Sequence, residues 1–262
     1  YKHNPDYALQ TLEAAERVGA SCLVLCDTNG GTLPTEVAEI MDVVTGRCKV
    51  AIGIHAHNDS GLAVANSIVA VSHGATHVQG TANGLGERCG NANLCTIMPI
   101  LELKMGLSCL PDGALKRLTE LSRSIDEIAN RIPEDRQPFV GASAFAHKAG
   151  VHVDAMMKNS LTYEHIEPEQ VGNRRRLLIS DYAGKSSIVE KAKDYDVDLT
   201  KQSPEVKAIL DQVMNLEHNG YSFEDAEASF ELLLKKAIGK YRKLFDLRGF
   251  RVNTEKRGPD EQ

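Results

Sequence analysis

His55 and His57 stand two residues apart in the run IHAHND, with Asn58 and Asp59 directly after them. Side chains alternate faces along an extended strand, so two imidazoles at this spacing point the same way and can share one ion. Neutral imidazole is the commonest ligand for protein-bound divalent metals. Two of them fill half of a four-ligand shell, so further donors must come from elsewhere in the fold. Asp59 keeps the same parity and either joins the ion or orients one of its ligands, the second being the reading favoured here. Glu87, Arg88 and Asn91 lie in GLGERCGN, residues 84–91. That segment is not a dinucleotide fingerprint, because Cys89 stands where the third glycine belongs; GKSS at 184–187 is not a phosphate loop, because Ile179 stands where its glycine belongs. It reads as a flexible turn in which Asn91 either caps a helix or does chemistry. Thr28, in DTNGG, could donate to a carboxylate or sit in an ordinary turn. His152 and Asp154 could form a base with an orienting carboxylate, although that spacing also arises by chance.

The elements that must position these groups alternate from Pro5 to Gly106: helix about 5–18, strand 21–26, helix 34–45, strand 49–55, helix 61–72, strand 76–81, helix 91–105. Such alternation predicts right-handed βαβ units and a parallel sheet. The strand CLVLC is apolar on both faces, as a covered parallel strand requires. Each strand runs into polar residues at its carboxyl end, where parallel α/β folds carry their chemistry. Three strands fall short of the eight of a closed (β/α)₈ barrel, and the expectation is an α/β fold comprising the C-terminal part of such a barrel, with a free-standing open sheet as the competing architecture. Beyond Leu107 the alternation stops. An amphipathic helix is expected over 111–131, a linker over 133–138, and helix over 203–243 with a stripe through Phe230, Leu233, Leu234 and Ile238. The run FDLRGFRVNTEKR reads as a strand from about Phe245. The domain expectation is therefore a barrel portion at 1–107, a mostly helical linker at 108–244, and the start of a further domain at 245–262.

At 262 residues with 42% hydrophobic content, the chain can bury a substantial core. A formal net charge of −6 argues against nucleic acid or an anionic membrane as partner. The one strongly basic run, Arg174–Arg176, reads as a solvated turn or an intersubunit salt-bridge site. Six cysteines lie in the first half without a Cys-x-x-Cys pair, which predicts reduced, mostly buried thiols and a cytoplasmic protein. No apolar run has transmembrane length. The chain opens at Tyr1 directly on a helix start, with Asn4 as cap and Pro5 at the first helical position, and is expected to continue a longer polypeptide.

Taken in order, CDTNGGTLP, GIHAHNDSGLAVANS, QGTANGLGERCGNANL, SAFAHKAGVHVDA and YEHIEPEQVGNRR resemble the Claisen-condensing branch of the metal-dependent pyruvate carboxyltransferase-like barrels, related to HMG-CoA lyase. That branch holds the 2-isopropylmalate, homocitrate and citramalate synthases, and the CDTNGG start with AFAHKAGVH leans towards its citramalate-forming members. The resemblance implies condensation of acetyl-CoA with a 2-oxo acid, pyruvate in the first instance and 2-oxoisovalerate as the alternative, in branched-chain amino-acid synthesis. It implies a divalent ion (Mg²⁺, Mn²⁺ or Zn²⁺) on His55 and His57, with Asn91 in or beside the shell. By the same resemblance Thr28 holds the oxo-acid carboxylate, and His152 is a catalytic acid/base that reaches the neighbouring subunit of a homodimer, with Tyr163 near it. The family's first-strand Asp-x-Thr-x-Arg-Asp-Gly-like run, a source of metal-binding aspartate and polarising arginine, has no match in this sequence, nor does an assisting glutamate from an earlier strand. The fragment alone is therefore expected to be inactive. A non-catalytic dimerisation or regulatory module is the rival from another class.

Overall fold

Asn4 accepts from Tyr7 N at 3.0 Å and Pro5 occupies the first turn, so helix α1 (Pro5–Arg17) begins where the sequence places its cap. The coordinates come from a computed structural model, which describes residues 1–148, 153, 155–156, 158–180, 183–224, 226–246 and 248–254. Strand β1 (Cys22–Asp27), helix α2 (Pro34–Arg47), strand β2 (Ala51–Ala56), helix α3 (Ala63–Ser72), strand β3 (His77–Gln79) and helix α4 (Leu94–Lys104) follow in order. The three strands form one parallel sheet in the order β1-β2-β3, with Cys26 level with His55 and His55 level with Gln79. This is the expected α/β arrangement, part of a (β/α)₈ barrel. Leu23, Ile52, Ile54 and Ala56 from the strands pack with Val37, Met41 and Val44 of α2, Ala63 and Ala70 of α3, and Ile97 and Leu101 of α4. Burying each of the Leu, Ile, Val and Met side chains among these stabilises by about 1.5–3 kcal/mol, which helps to hold the strand ends in place.

Two compact units divide the described chain. The first comprises Tyr1–His147 and Ala155–Arg176. In it, helix α5 (Leu118–Ile128) follows a 3₁₀ turn at Ala114–Arg117, so the expected 111–131 helix is shorter and begins as a tighter coil. Leu118, Phe139, Val140, Phe145, Ile166 and Val171 gather with Cys95 of α4 into a second core. Asn83 ties the loop after β3 to this region: its Oδ1 accepts from Ser122 Oγ at 2.7 Å and Gln137 Nε2 at 3.1 Å, and its Nδ2 donates to Ser122 O at 2.8 Å. The two-residue strand β4 (Ala146–His147) closes this unit, with Arg176 N donating to Phe145 O at 3.0 Å.

The second unit comprises Lys148–Asp154 and Leu177–Gln262. Helices α6 (Lys185–Lys193), α7 (Pro204–His218) and α8 (Glu227–Ala237) bury Ile188, Val206, Ile209, Val213, Phe230 and Leu234 against one another. The helical region expected over 203–243 consists of two helices: α7 ends at Asn219-Gly220, where a left-handed glycine lets the chain turn. The run expected to be a strand from Phe245 forms none among its described residues, and Phe245, Phe250 and Val252 are exposed. A strand needs a partner to receive its backbone hydrogen bonds, and alternation in sequence does not supply one. Among the described residues, no helix is long and apolar enough to cross a membrane.

Candidate functional site

The carboxyl ends of the three strands are sewn together by backbone hydrogen bonds. His57 N donates to Asp27 O at 3.1 Å, Ser60 N to Gly30 O at 3.1 Å, Asn58 N to Gly90 O at 2.9 Å, Ala92 N to Ala56 O at 2.9 Å and Thr81 N to Ala92 O at 3.0 Å. This lattice fixes the loops after β1, β2 and β3 relative to each other without depending on side-chain identity. Close approaches make glycine necessary at several points within it. A Cβ on Gly30, whose φ is +65°, would lie 2.4 Å from Asp59 Oδ2 and 2.7 Å from Asp59 N. One on Gly86 would lie 2.2 Å from Asn91 Nδ2.

On this frame His55 and His57 lean together, with their Nε2 atoms 3.4 Å apart and their ring centroids 5.2 Å apart. Both rings are partly buried. Asn91 faces His57 through an isolated antiparallel bridge. Its Nδ2 donates to Leu85 O at 3.1 Å, leaving Oδ1 buried without a partner; His57 Nδ1 is likewise buried and unpartnered. A buried acceptor left unmade costs about 1–3 kcal/mol, so an orphan beside two converging imidazoles is the signature of a site that expects something more. The residues present fit a divalent ion: two nitrogen donors with a spare amide oxygen next to them. Among the described residues no cluster of three or more His, Cys, Asp or Glu side chains could hold one.

Asp59 is committed elsewhere. Arg88 grips it with a two-pronged pair, Nε to Oδ1 at 2.7 Å and a terminal nitrogen to Oδ2 at 3.0 Å, and the same terminal nitrogen donates to Thr28 O at 2.7 Å. The Arg88 guanidinium holds the Asp59 carboxyl below the usual carboxylate range. Arg88 therefore braces the loop after β2 against the turn after β1, which carries Thr28. Sequence reasoning placed Arg88 in a flexible turn without a task; its left-handed backbone, φ +57°, had no signal in the residue type. Thr28 itself is exposed and lines a cavity of about 700 Å³ with Asp27, Asn29 and Arg88.

Tyr163 is carried by the segment after the 3₁₀ turn Ser160–Thr162 rather than by the sheet, and is 44% exposed. His152 and Asp154 lie outside the described residues. Two expectations change. Of the basic run, Arg174 is exposed, whereas Arg175 is paired within the chain to the buried Glu164. All six cysteines are free, but Cys26, Cys89 and Cys109 are exposed and only Cys48 and Cys95 are buried.

The sequence profile of the HMGL-like family matches residues 1–125, and that of the homocitrate synthase post-HMGL domain matches residues 139–220. An (R)-citramalate synthase of Geobacter sulfurreducens is 53% identical over 262 residues, covering 100% of this chain and 50% of its own length. One of Aquifex aeolicus is 54% identical, with 99% of this chain and 49% of its own length covered. Over its whole length the chain is similar to (R)-citramalate synthases. It spans about half the length of the curated relatives it matches. A probable 2-isopropylmalate synthase of Methanopyrus kandleri is more distant, at 36% identity over 75% of this chain and 39% of its own length.

Proposed function

We propose that the protein to which this chain belongs condenses acetyl-CoA with pyruvate and hydrolyses the thioester, giving (R)-citramalate and free CoA. The observation that carries this reading is the convergence of His55 and His57 beside the unpartnered Asn91 oxygen, in a chain half of whose residues are identical to those of citramalate synthases. His55, His57 and Asn91 would hold a divalent cation, Mg²⁺, Mn²⁺ or Zn²⁺; mixed nitrogen and oxygen donors do not choose sharply among these. When bound, such an ion supplies Lewis acidity at the carbonyl of the oxo acid.

The chain's own residues do the rest of the work assigned here. The Thr28 hydroxyl donates to the oxo-acid carboxylate, at a turn that Arg88 steadies through the Thr28 carbonyl. His152 takes a methyl proton from acetyl-CoA and Tyr163 hydrogen-bonds at the same centre. A thioester methyl proton is far less acidic than imidazolium, so this transfer depends on exact placement of donor and acceptor and on stabilisation of the charge that develops. We assign the protein to the cytoplasm as a homodimer in which the region of His152 serves the neighbouring subunit. Residues 1–107 would form the barrel portion, 108–244 the linker, and 245–262 the entry into a further domain.

The test is turnover of the full-length protein with pyruvate and with 2-oxoisovalerate, followed by release of the CoA thiol. Pyruvate is the expected substrate. Preference for 2-oxoisovalerate would reassign the protein to 2-isopropylmalate synthesis, and turnover of neither would support a non-catalytic module. The His57→Ala variant is expected to lose both activity and tight binding of Mn²⁺; retention of both would remove the metal assignment.

A further inference from the structure

A buried ion cluster that the chemistry above leaves idle lies directly behind Tyr163. From Tyr163 to Pro168 exposure alternates: Tyr163, His165 and Glu167 are exposed, while Glu164, Ile166 and Pro168 are buried. Residues of one parity face solvent and those of the other face the interior. Glu164 is the charged member of the inner set, with a side chain 1% exposed. Its Oε1 lies 2.9 Å from His147 Nε2 and accepts from Arg175 Nε at 2.8 Å, while its Oε2 accepts from a terminal nitrogen of Arg175. Arg175 extends the same terminal nitrogen to Glu167 Oε2 at 3.2 Å. The backbone is tied as well, through Glu164 N to Ser160 O at 3.0 Å and Tyr163 N to Ser160 O at 3.2 Å.

A buried carboxylate with three donors has one low-energy placement. An apolar residue would hold the segment to the core more cheaply, since burying a charged pair recovers little net stability. What the fork adds is direction: a planar guanidinium meeting a carboxylate edge-on fixes orientation as well as distance. Because Glu164 and Tyr163 are adjacent, fixing one fixes the backbone that aims the other.

We propose that Glu164, clamped by Arg175 and His147, is a positioning residue that sets the direction of the Tyr163 phenol for the condensation. This rests on the reading of Tyr163 given above. The test compares Tyr163→Phe, Glu164→Gln and the double variant in the full-length protein, with kcat and the KM for pyruvate measured separately. Glu164→Gln is expected to lower kcat roughly tenfold or more, as small misplacements of a catalytic group do, with KM within about threefold of wild type. The double variant is expected to be no slower than Tyr163→Phe alone, because two residues acting through one phenol do not add. Multiplying effects in the double variant, or a folded Glu164→Gln protein of wild-type kcat, would overturn the inference while leaving the Tyr163 reading intact. Wild-type kcat in Tyr163→Phe would remove that reading and the inference with it. Should Glu164→Gln fail to fold, Arg175→Lys and His147→Gln carry the same comparison, since each keeps the carboxylate and some of its donors.

Discussion

Gly30→Ala gives the most direct test of the strand-end lattice. Gly30 has φ +65°, and holding an alanine there costs about 1–2 kcal/mol from the backbone alone. The added Cβ would also meet Asp59 Oδ2 at 2.4 Å and Asp59 N at 2.7 Å. The carboxylate could swing aside only by leaving Arg88, and the backbone nitrogen cannot swing at all. Relief of such overpacking adds about 1–3 kcal/mol. The sum is about 2–5 kcal/mol, and at about 2–4 °C per kcal/mol it lowers the melting temperature by roughly 4–20 °C. Gly113→Ala supplies the control, because Gly113 has a similar φ of +76° with nothing within 4 Å of the added Cβ, so it carries the backbone cost alone. Melting of both variants of the full-length protein, followed by circular dichroism, isolates the contact as their difference. If the two melt at the same temperature, the Gly30–Asp59 approach does not constrain the loops and the lattice argument fails.

Two further outcomes follow from the same contacts. Arg88→Lys replaces a fork with a single ammonium that cannot hold both Asp59 oxygens and the Thr28 carbonyl, so the KM for pyruvate is expected to rise several-fold, to about tenfold, with a smaller change in kcat. An unchanged KM in steady-state assays would detach Arg88 from the Thr28 turn. For Glu164, burial alone would raise the carboxyl, but the hydrogen bonds from Arg175 and His147 outweigh it and hold its pKa below the ordinary value. Its contribution to stability is therefore present above the unfolded-state pKa of about 4.3 and is lost as pH falls through the lower folded value. Glu164→Gln should flatten the acid limb of the stability curve in that window, as read by urea unfolding at stepped pH; an unaltered limb would contradict it.

The βαβ order was legible because the elements carried their own punctuation: Pro5 and Pro34 in the first turns of their helices, the unbroken apolar run of β1, polar strand ends. The convergence of His55 and His57 was legible for a still simpler reason, the two-residue period of a strand. Arg88 and Glu164 were not. Arg88 owes its task to a left-handed residue that brings it to Asp59, 29 positions earlier, and Glu164 owes its burial to Arg175, 11 positions later. Neither relation leaves a periodic trace. Among its described residues the run from Phe245 forms no strand, for the complementary reason: alternation in sequence does not supply a pairing partner.

Asn83 carries a consequence for assembly. The loop between β3 and α4, which bears Asn91, is joined through that one side chain to Ser122 and Gln137, 39 and 54 residues downstream. Contacts so distant in sequence are made only after the intervening chain has been gathered in. The sheet and the backbone lattice at its strand ends can form from neighbouring βαβ units, whereas the contacts of Asn83 with Ser122 and Gln137 must wait for chain outside them. A version of the protein ending after α4 would retain the strands, both imidazoles and the backbone lattice, but lose the contacts of Asn83 with Ser122 and Gln137. The contacts that brace this loop therefore extend as far as Gln137, well past the point where the alternating pattern stops.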